Sequence, residues 1–507
     1  MQTPSVGGGP NNPSVRLTLL HTNDVHGFVL PVEDKVVLGQ KVKLGGAAHL
    51  ATLVSQKKAE NPGNTALVDC GDAVHGALTT DFDQGRSMVD VMNRVGYDVA
   101  TLGNHDFQWT VPVLEERLQA TRHPVVLANV EKTDGSRLPN TSPYVIRELG
   151  GLKVAFIGLV TEDTGTQQRA DRVRGARFQT AESALRQQIA EARGDGAEVL
   201  VVVSHCGLPA DVRMAEQFPG QGLVFLGGHS HDRTEKPLNV AGNILVQAGS
   251  LGKELGQLDL EIDLVTKRVV GTDFKLLTVN PEEIPADPEI ERLVQSYEQR
   301  ARVAMGAVVA HLPATLTRSR TTDSGVGNLV CDAMREMAGA ELAFTNAEGL
   351  RSDLPAGPVT RGQLYDVTPY GGQLKVGKIK GSDVQEALEH SLLEWEEDHG
   401  LQLGFLQVSG LKFQYDSNKP QGQRIVSVEV GGQPLEPERE YTIALEDYLA
   451  TGKLGYDALA RGQYHEVGNT VMEALEEYMV AKNGQLNPAS EGRIVDVALR
   501  AKPLAGT

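Results

Sequence analysis

The first half of the chain is a succession of short apolar runs, each ended by a polar cluster and followed by a stretch of helical spacing. Val15–Leu20 alternates and then turns wholly apolar, as a strand does when it passes from half to full burial. Residues 65–69, 99–102, 125–130, 153–160, 224–226 and 244–246 repeat the pattern. The run 198–203 is almost continuously apolar, the mark of a strand covered on both faces. Between the runs, residues 45–58, 86–96, 113–121 and 181–193 carry helical spacing, and 256–264 alternates like an antiparallel strand. Strand, polar tip and helix recur about six times in roughly 230 residues, which predicts a layered α/β domain with its tips along one edge.

Proline and charge gather at Asn280–Pro285, and Pro288–Val303 reads as one helix, acidic at its start and basic at its end. Beyond it shorter strands alternate with isolated helices, among them 327–337 and 382–393, a pattern that predicts an α+β domain. The expected order is a flexible leader over 1–15, the α/β domain over 16–285, a connecting helix over 286–306 and the smaller domain over 307–502.

The length of 507 residues exceeds what one core serves, in keeping with that division. A net charge of −18 argues against a nucleic-acid partner, because a phosphate chain calls for a basic face. An anionic small substrate then needs local cations. Three scattered cysteines, Cys70, Cys206 and Cys331, give no disulfide framework. No apolar run reaches the ~18 residues of a membrane-spanning helix. The leader carries neither the basic start nor the apolar stretch of a signal peptide.

The polar tips carry the chemistry. They supply Asp24 and His26, then Asp72, then Asn104 and His105 with Asp106 beside them, then His205, and finally His229 and His231. In extended chain Asp24 and His26 point to one side, as a carboxylate and an imidazole must to reach one ion. A single Asp-x-His or His-x-His says little, but five tips bearing only oxygen and imidazole donors say much more. Asp106 aside, eight such groups are too many for one tetrahedral ion, so two ions are the economical reading, with a carboxylate such as Asp72 shared. These donors suit zinc, manganese, iron or cobalt.

Asp24-Val25-His26, Gly71-Asp72, Gly103-Asn104-His105-Asp106, His205 and Gly228-His229-Ser230-His231, in that order, resemble the calcineurin-like metallophosphoesterases. The flanking words Leu20-His21-Thr22-Asn23-Asp24-Val25-His26-Gly27 and Val246-Gln247-Ala248-Gly249 resemble the 5′-nucleotidase branch. The resemblance implies a four-layer α/β/β/α sandwich followed by a linker helix and the smaller α+β domain. It implies two divalent ions, manganese or zinc ahead of cobalt, iron or magnesium. Asp24, His26, Asp72 and His231 would hold one ion, and Asp72, Asn104, His205 and His229 the other. His105 would stabilise the transition state, and because Gln108 stands where the family carries an acid, either Asp106 is its helper or His105 works mainly as a neutral donor.

The second domain resembles the 5′-nucleotidase C-terminal domain in Gly327-Asn328-Leu329-Val330-Cys331-Asp332-Ala333, Asn346-Ala347-Glu348-Gly349-Leu350-Arg351 and Thr368-Pro369-Tyr370-Gly371-Gly372. By that resemblance Arg320, Asn346 and Arg351 would bind substrate, and Tyr370 and Tyr456 would sandwich a base. Arginine forks hold phosphate or carboxylate bidentately, and ring pairs hold any flat base. The implied activity is release of phosphate from nucleoside 5′-monophosphates, outside the cytoplasm, in the periplasm or after secretion. A nucleotide-sugar or 2′,3′-cyclic-nucleotide phosphodiesterase, a thiosulfohydrolase and a silent nucleotide-binding protein are the alternatives.

Overall fold

The computed structural model describes residues 12–35, 41–168, 172–369, 372–392, 404–482, 486 and 492–500. The chain divides into two compact units, Met1–Ala301 and Arg302–Thr507.

In the first unit two sheets lie face to face. One has seven strands in the order 269–278, 254–263, 14–22, 65–69, 99–100, 125–126 and 141–142. The other has six, in the order 238–240, 243–247, 224–227, 199–205, 152–160 and 144–149. Alternate residues of central strands serve different layers, as the period of two requires. Leu17, Leu19, Val68, Phe156, Val201, Val203 and Leu226 form the core between the sheets. Leu20 and Leu67 face outward against Leu50, Met88 and Met92 of the helices Ala47–Glu60 and Arg86–Val95. On the far side Ile157, Val202 and Phe225 meet Leu185 and Ile189 of the helix Ala181–Gly194. The result is four layers: helices, sheet, sheet, helices.

The strand Ser14–Thr22 pairs parallel with Thr65–Asp69 and antiparallel with Glu254–Asp263, so the alternating run near 256–264 begins the antiparallel side of the first sheet, with 269–278 as its edge. Two expected strands are shorter than their apolar runs. The run 99–102 is in the ladder only at Val99–Ala100, and 125–130 divides into Val125–Val126 and Val130–Lys132, the latter pairing with Ala176–Phe178 in a small separate sheet. Hydrophobicity gives burial, while the ladder ends where Gly103 leaves to approach Asp72. The tips come from two sheets rather than one edge, and both sheets present carboxyl ends to the same place.

The helix Pro288–Met305 starts where Asp287 accepts the N–H groups of Glu289 and Ile290, a side-chain N-cap. Ile290 and Val294 pack with the core of the first unit, and Tyr297 donates to Asp90 at 2.5 Å.

The second unit is built on a five-stranded sheet in the order 406–409, 342–346, 440–446, 373–380 and 463–470. Its two faces carry separate cores. Leu329, Val330 and Met334 of the helix Gly325–Ala338 join Leu475 and Met479 on one, and Phe344, Leu388, Ile443 and Leu445 lie on the other. Only Leu342–Asn346 and Glu440–Glu446 are a parallel pair in this sheet, and it is the carboxyl end of this pair that delivers Asn346.

Candidate functional site

Backbone strain marks the site before its side chains do. Asp24, His26, Asp72, His229 and His231 have φ between 51° and 76°, the left-handed region that a side chain ordinarily avoids. Such residues cost of order 1–3 kcal/mol each and persist where their surroundings over-determine them. Here they turn each chain sharply beyond its strand, so that consecutive tip residues aim inward. The backbones interlock: Asp24 N–H donates to Gly71 carbonyl at 3.0 Å and His26 N–H to Asp72 carbonyl at 2.8 Å. Glycine is required where the loops press closest. A β-carbon on Gly103 would lie 2.1 Å from Asp72 Oδ1, and one on Gly71 would lie 2.6 Å from the Gly103 nitrogen.

The side chains gather in two triads. Asp24, His26 and His231 form one, and Asp72, His205 and His229 the other, with the ligand atoms of each within 4.8 Å of one another. His26 Nε2 lies 3.1 Å from His231 Nε2, and His231 Nε2 lies 3.3 Å from Asp24 Oδ1. His205 Nε2 lies 3.0 Å from Asp72 Oδ2 and 3.9 Å from Asp24 Oδ1, which links the triads. Asn104 joins the second through its Oδ1, 2.9 Å from His229 Nδ1. Asn23, which was not singled out from the sequence, clamps the first: it donates to Asp24 Oδ2 at 2.7 Å and to Gly249 carbonyl at 2.6 Å, and accepts from Ala248 N–H.

The tautomers fit cation binding. His26 Nδ1 donates to the His75 carbonyl at 3.0 Å and His205 Nδ1 to the Cys70 carbonyl at 2.7 Å. A carbonyl can only accept, so each ring carries its proton on Nδ1 and turns Nε2 inward, the arrangement that carbonyl partners impose on metal-ligating imidazoles. His205 Nε2 is buried and its approach to Asp72 lacks hydrogen-bond geometry. A ring nitrogen and a carboxylate oxygen so placed need a positive charge between them, either a second proton on the ring or a bound cation.

The local electrostatics agree. Burial alone would raise the Asp72 carboxyl, yet the imidazoles of His205, His105 and His26 hold it well below the usual carboxylate range. Burial would likewise raise Asp24, and His231 and His205 bring it down. His26 is pushed down to about 4 by burial despite Asp72. In His205 burial is overcome by Asp72 and Asp24, which lift it to about 10. Two buried, ionised carboxylates ringed by imidazoles form a well for positive charge.

His105 sits on the short turn His105–Phe107, its N–H donating to Asp72 Oδ1 at 2.7 Å. Asp106 departs from the expectation that it would help orient His105. Its carboxylate accepts from the backbone N–H of Gly103 at 2.7 Å, Asp72 at 3.0 Å and Val74 at 3.3 Å. It therefore pins two loop tips together. His75 escaped the sequence reading altogether, although it stands three residues after Asp72 on the same glycine-rich loop, Gly71–Gly76. Its buried ring stacks on His105.

In the second unit Asn346 caps the turn Ala347–Gly349 by accepting the Glu348 N–H at 2.9 Å. Arg320 Nε lies 3.2 Å from Glu348 Oε1, and Arg351 Nη1 lies 3.5 Å from the Glu348 carbonyl, so three of the expected substrate residues meet at one turn. Tyr370 lies outside the described residues. Tyr456 is fully buried in the core, its hydroxyl donating to the Gly404 carbonyl at 2.5 Å, and offers no ring face to a base.

Residues 17–233 match the family model described as calcineurin-like phosphoesterase, and residues 305–461 that of the 5′-nucleotidase C-terminal domain. A snake venom 5′-nucleotidase of Naja atra is 30% identical over 95% of this chain and 99% of its own length. The chain belongs to the 5′-nucleotidase family. The trifunctional nucleotide phosphoesterase protein YfkN of Bacillus subtilis is 28% identical over 97% of this chain, which spans only 36% of that longer relative. Among solved structures, the 5′-nucleotidase precursor of Thermus thermophilus aligns over 96% of this chain and 100% of its own, with 29% identity and a TM-score of 0.60. As in the family, this 5′-nucleotidase chain pairs a metallophosphoesterase domain, which implies divalent metal ions, with a separate C-terminal domain. No described helix is long and apolar enough to cross a membrane.

Proposed function

We propose that this chain is a dimetal phosphohydrolase that releases phosphate from nucleoside 5′-monophosphates. The observation that carries the reading is the convergence of two donor triads, linked through Asp24 and Asp72, at the carboxyl ends of two packed sheets. Asp24, His26, Asp72 and His231 would hold one cation and Asp72, Asn104, His205 and His229 the other. When bound, such a pair supplies Lewis acidity toward a phosphate oxygen and a water of lowered pKa. Manganese or zinc suits imidazole mixed with carboxylate and amide oxygen best.

The protein's own residues supply the rest. The backbone interlock of residues 24–26 with 71–73 fixes the spacing of the donors before any substrate arrives. His105 Nδ1 is buried, so Nε2 is the ring atom available to give a hydrogen bond or a proton to the phosphate or the leaving oxygen. Arg320, Asn346 and Arg351 are assigned to nucleoside binding, together with Tyr370; the ring of Tyr456 is not. The Naja atra relative, a venom enzyme by its name, supports a place of action outside the cytoplasm.

The test is phosphate release from AMP and UMP by metal-stripped protein reloaded with manganese, zinc, cobalt or magnesium, beside ADP, UDP-glucose, 2′,3′-cyclic AMP and bis-p-nitrophenyl phosphate. Metal-dependent release from AMP and UMP, abolished by Asp72→Ala, is the expected result. Turnover confined to diesters would overturn the monoesterase reading, and silence across the panel with two ions bound would overturn the enzyme.

A further inference from the structure

His75 belongs to neither triad, yet its side chain is only 1% exposed and its ring lies on the ring of His105. The two imidazole planes are 12° apart with centroids 5.7 Å apart, an offset stack. Trp109 meets His75 edge-on at 5.5 Å, and His26 meets His105 edge-on at 5.3 Å. Asp81 stands beside the His75 ring and fixes the backbone that follows it. Asp81 Oδ2 lies 3.9 Å from His75 Nε2, and Asp81 Oδ1 accepts the N–H of Gly76 at 3.1 Å. Gly76 has φ of 131°, and a β-carbon there would lie 3.0 Å from His26 Cβ, so only glycine lets the loop pass this close. The carboxylate next to His105 in sequence, that of Asp106, is committed to backbone N–H groups. The stack on His75 gives the His105 ring a flat, buried face against which its plane is set.

We propose that His75 is a positioning residue for His105. Its buried face fixes the plane in which His105 presents its ring, while its carbonyl independently fixes the tautomer of His26. The role needs a flat ring, not a titrating one, and no bond to substrate. It rests on the reading of the site as a phosphohydrolase, and concerns a side chain which that reading leaves unused.

The experiment compares His75→Ala with His75→Phe in the full chain reloaded with manganese. The readouts are kcat, KM, bound metal, the melting curve and the His105 ring signals in 15N-histidine-labelled protein. With AMP, His75→Ala should lower kcat roughly 10–100-fold, the scale of a misplaced catalytic group, with KM within about twofold. Bound metal should stay unchanged. His75→Phe, which keeps the flat face, should recover most of the rate. The His105 signals should shift in His75→Ala and far less in His75→Phe. An unchanged kcat and unmoved His105 signals in His75→Ala would overturn the proposal, as would equal losses in both variants or a rate loss explained by lost metal. Should His75→Ala melt like an unfolded chain, His75→Leu, buried but not flat, takes its place. If the wild type leaves AMP intact, the nucleotidase reading fails, and the His105 signals still decide the role of His75.

Discussion

The ring nitrogens of His26 and His231 face each other, Nε2 to Nε2, at 3.1 Å. Because Nδ1 of His26 gives its proton to the His75 carbonyl, Nε2 of His26 can only accept, from a proton on His231 or from a cation. A divalent ion seated there would stabilise the folded state alone. At a hundredfold excess over its dissociation constant it adds about 2.7 kcal/mol, which for a domain of this size is on the order of 5–10 °C in melting temperature. Melting of stripped protein with and without manganese or zinc checks this. His26→Ala should lose most of the shift, and a melting curve indifferent to millimolar metal would refute the assignment.

The close approach of Gly103 to Asp72 gives a second prediction. A β-carbon at Gly103 would lie 2.1 Å from Asp72 Oδ1 and 2.6 Å from the Asp72 nitrogen, so the alanine variant must push the shared carboxylate aside. A displacement near 1 Å costs about a hundredfold in rate. Gly103→Ala should therefore show kcat reduced by around two orders of magnitude and weaker metal retention, with its circular dichroism spectrum intact. Gly194→Ala is the control for glycine removal, since nothing lies within 4 Å of its β-position and its backbone is outside the left-handed region. Full activity in Gly103→Ala would show that the loop can yield where the packing says it cannot.

The donor cluster of this site was legible in the sequence because each donor stands in a short word at a strand end, and glycine flanks the words that must turn. Asp24, His26, Asp72, His205, His229 and His231 converge in space as their spacing suggested. What the sequence could not convey was orientation set from afar. Asp106 is adjacent to His105, yet its carboxylate turns toward N–H groups of Asp72 and Val74 more than thirty positions away. Tyr456 reads as a loop aromatic, but a carbonyl 52 residues distant draws its hydroxyl into the core. His75 carries no motif of its own; its place follows from a ring contact that only the folded loops create. Apolar runs predicted burial well and strand ends less well, because hydrogen-bond ladders stop where loops diverge, as beyond Ala100.

His21 makes a prediction about stability. It is wholly buried beside Phe274, and burial lowers its pKa from 6.5 to about 3. The folded state thus refuses a proton that the unfolded chain accepts. The resulting stability is complete above pH 6.5 and is lost progressively as pH falls toward 3. At pH 5 the loss is about 2 kcal/mol by linkage. Urea unfolding at pH 7 and pH 5 should show His21→Leu losing less stability than the wild type by roughly that amount. Equal losses in the two proteins would mean that His21 does not report this burial.

The meeting of Arg320 and Arg351 at Glu348 yields the last prediction. The Glu348 carboxylate, largely shielded, fixes Arg320, while Arg351 remains exposed with one weak contact to the Glu348 carbonyl. Both guanidinium groups keep donors for a ligand, since each has five and the contact to Glu348 uses one. A hydrogen bond to a charged group contributes about 1.5–3 kcal/mol, so Arg351→Ala should raise KM for AMP roughly tenfold or more. The rate on p-nitrophenyl phosphate, which has no nucleoside, should stay as it was. Glu348→Gln should raise KM less, because it frees Arg320 without removing it. A parallel fall in both substrates would assign the arginines to the fold or to the phosphate, and an unchanged KM for AMP would remove them from nucleoside binding altogether.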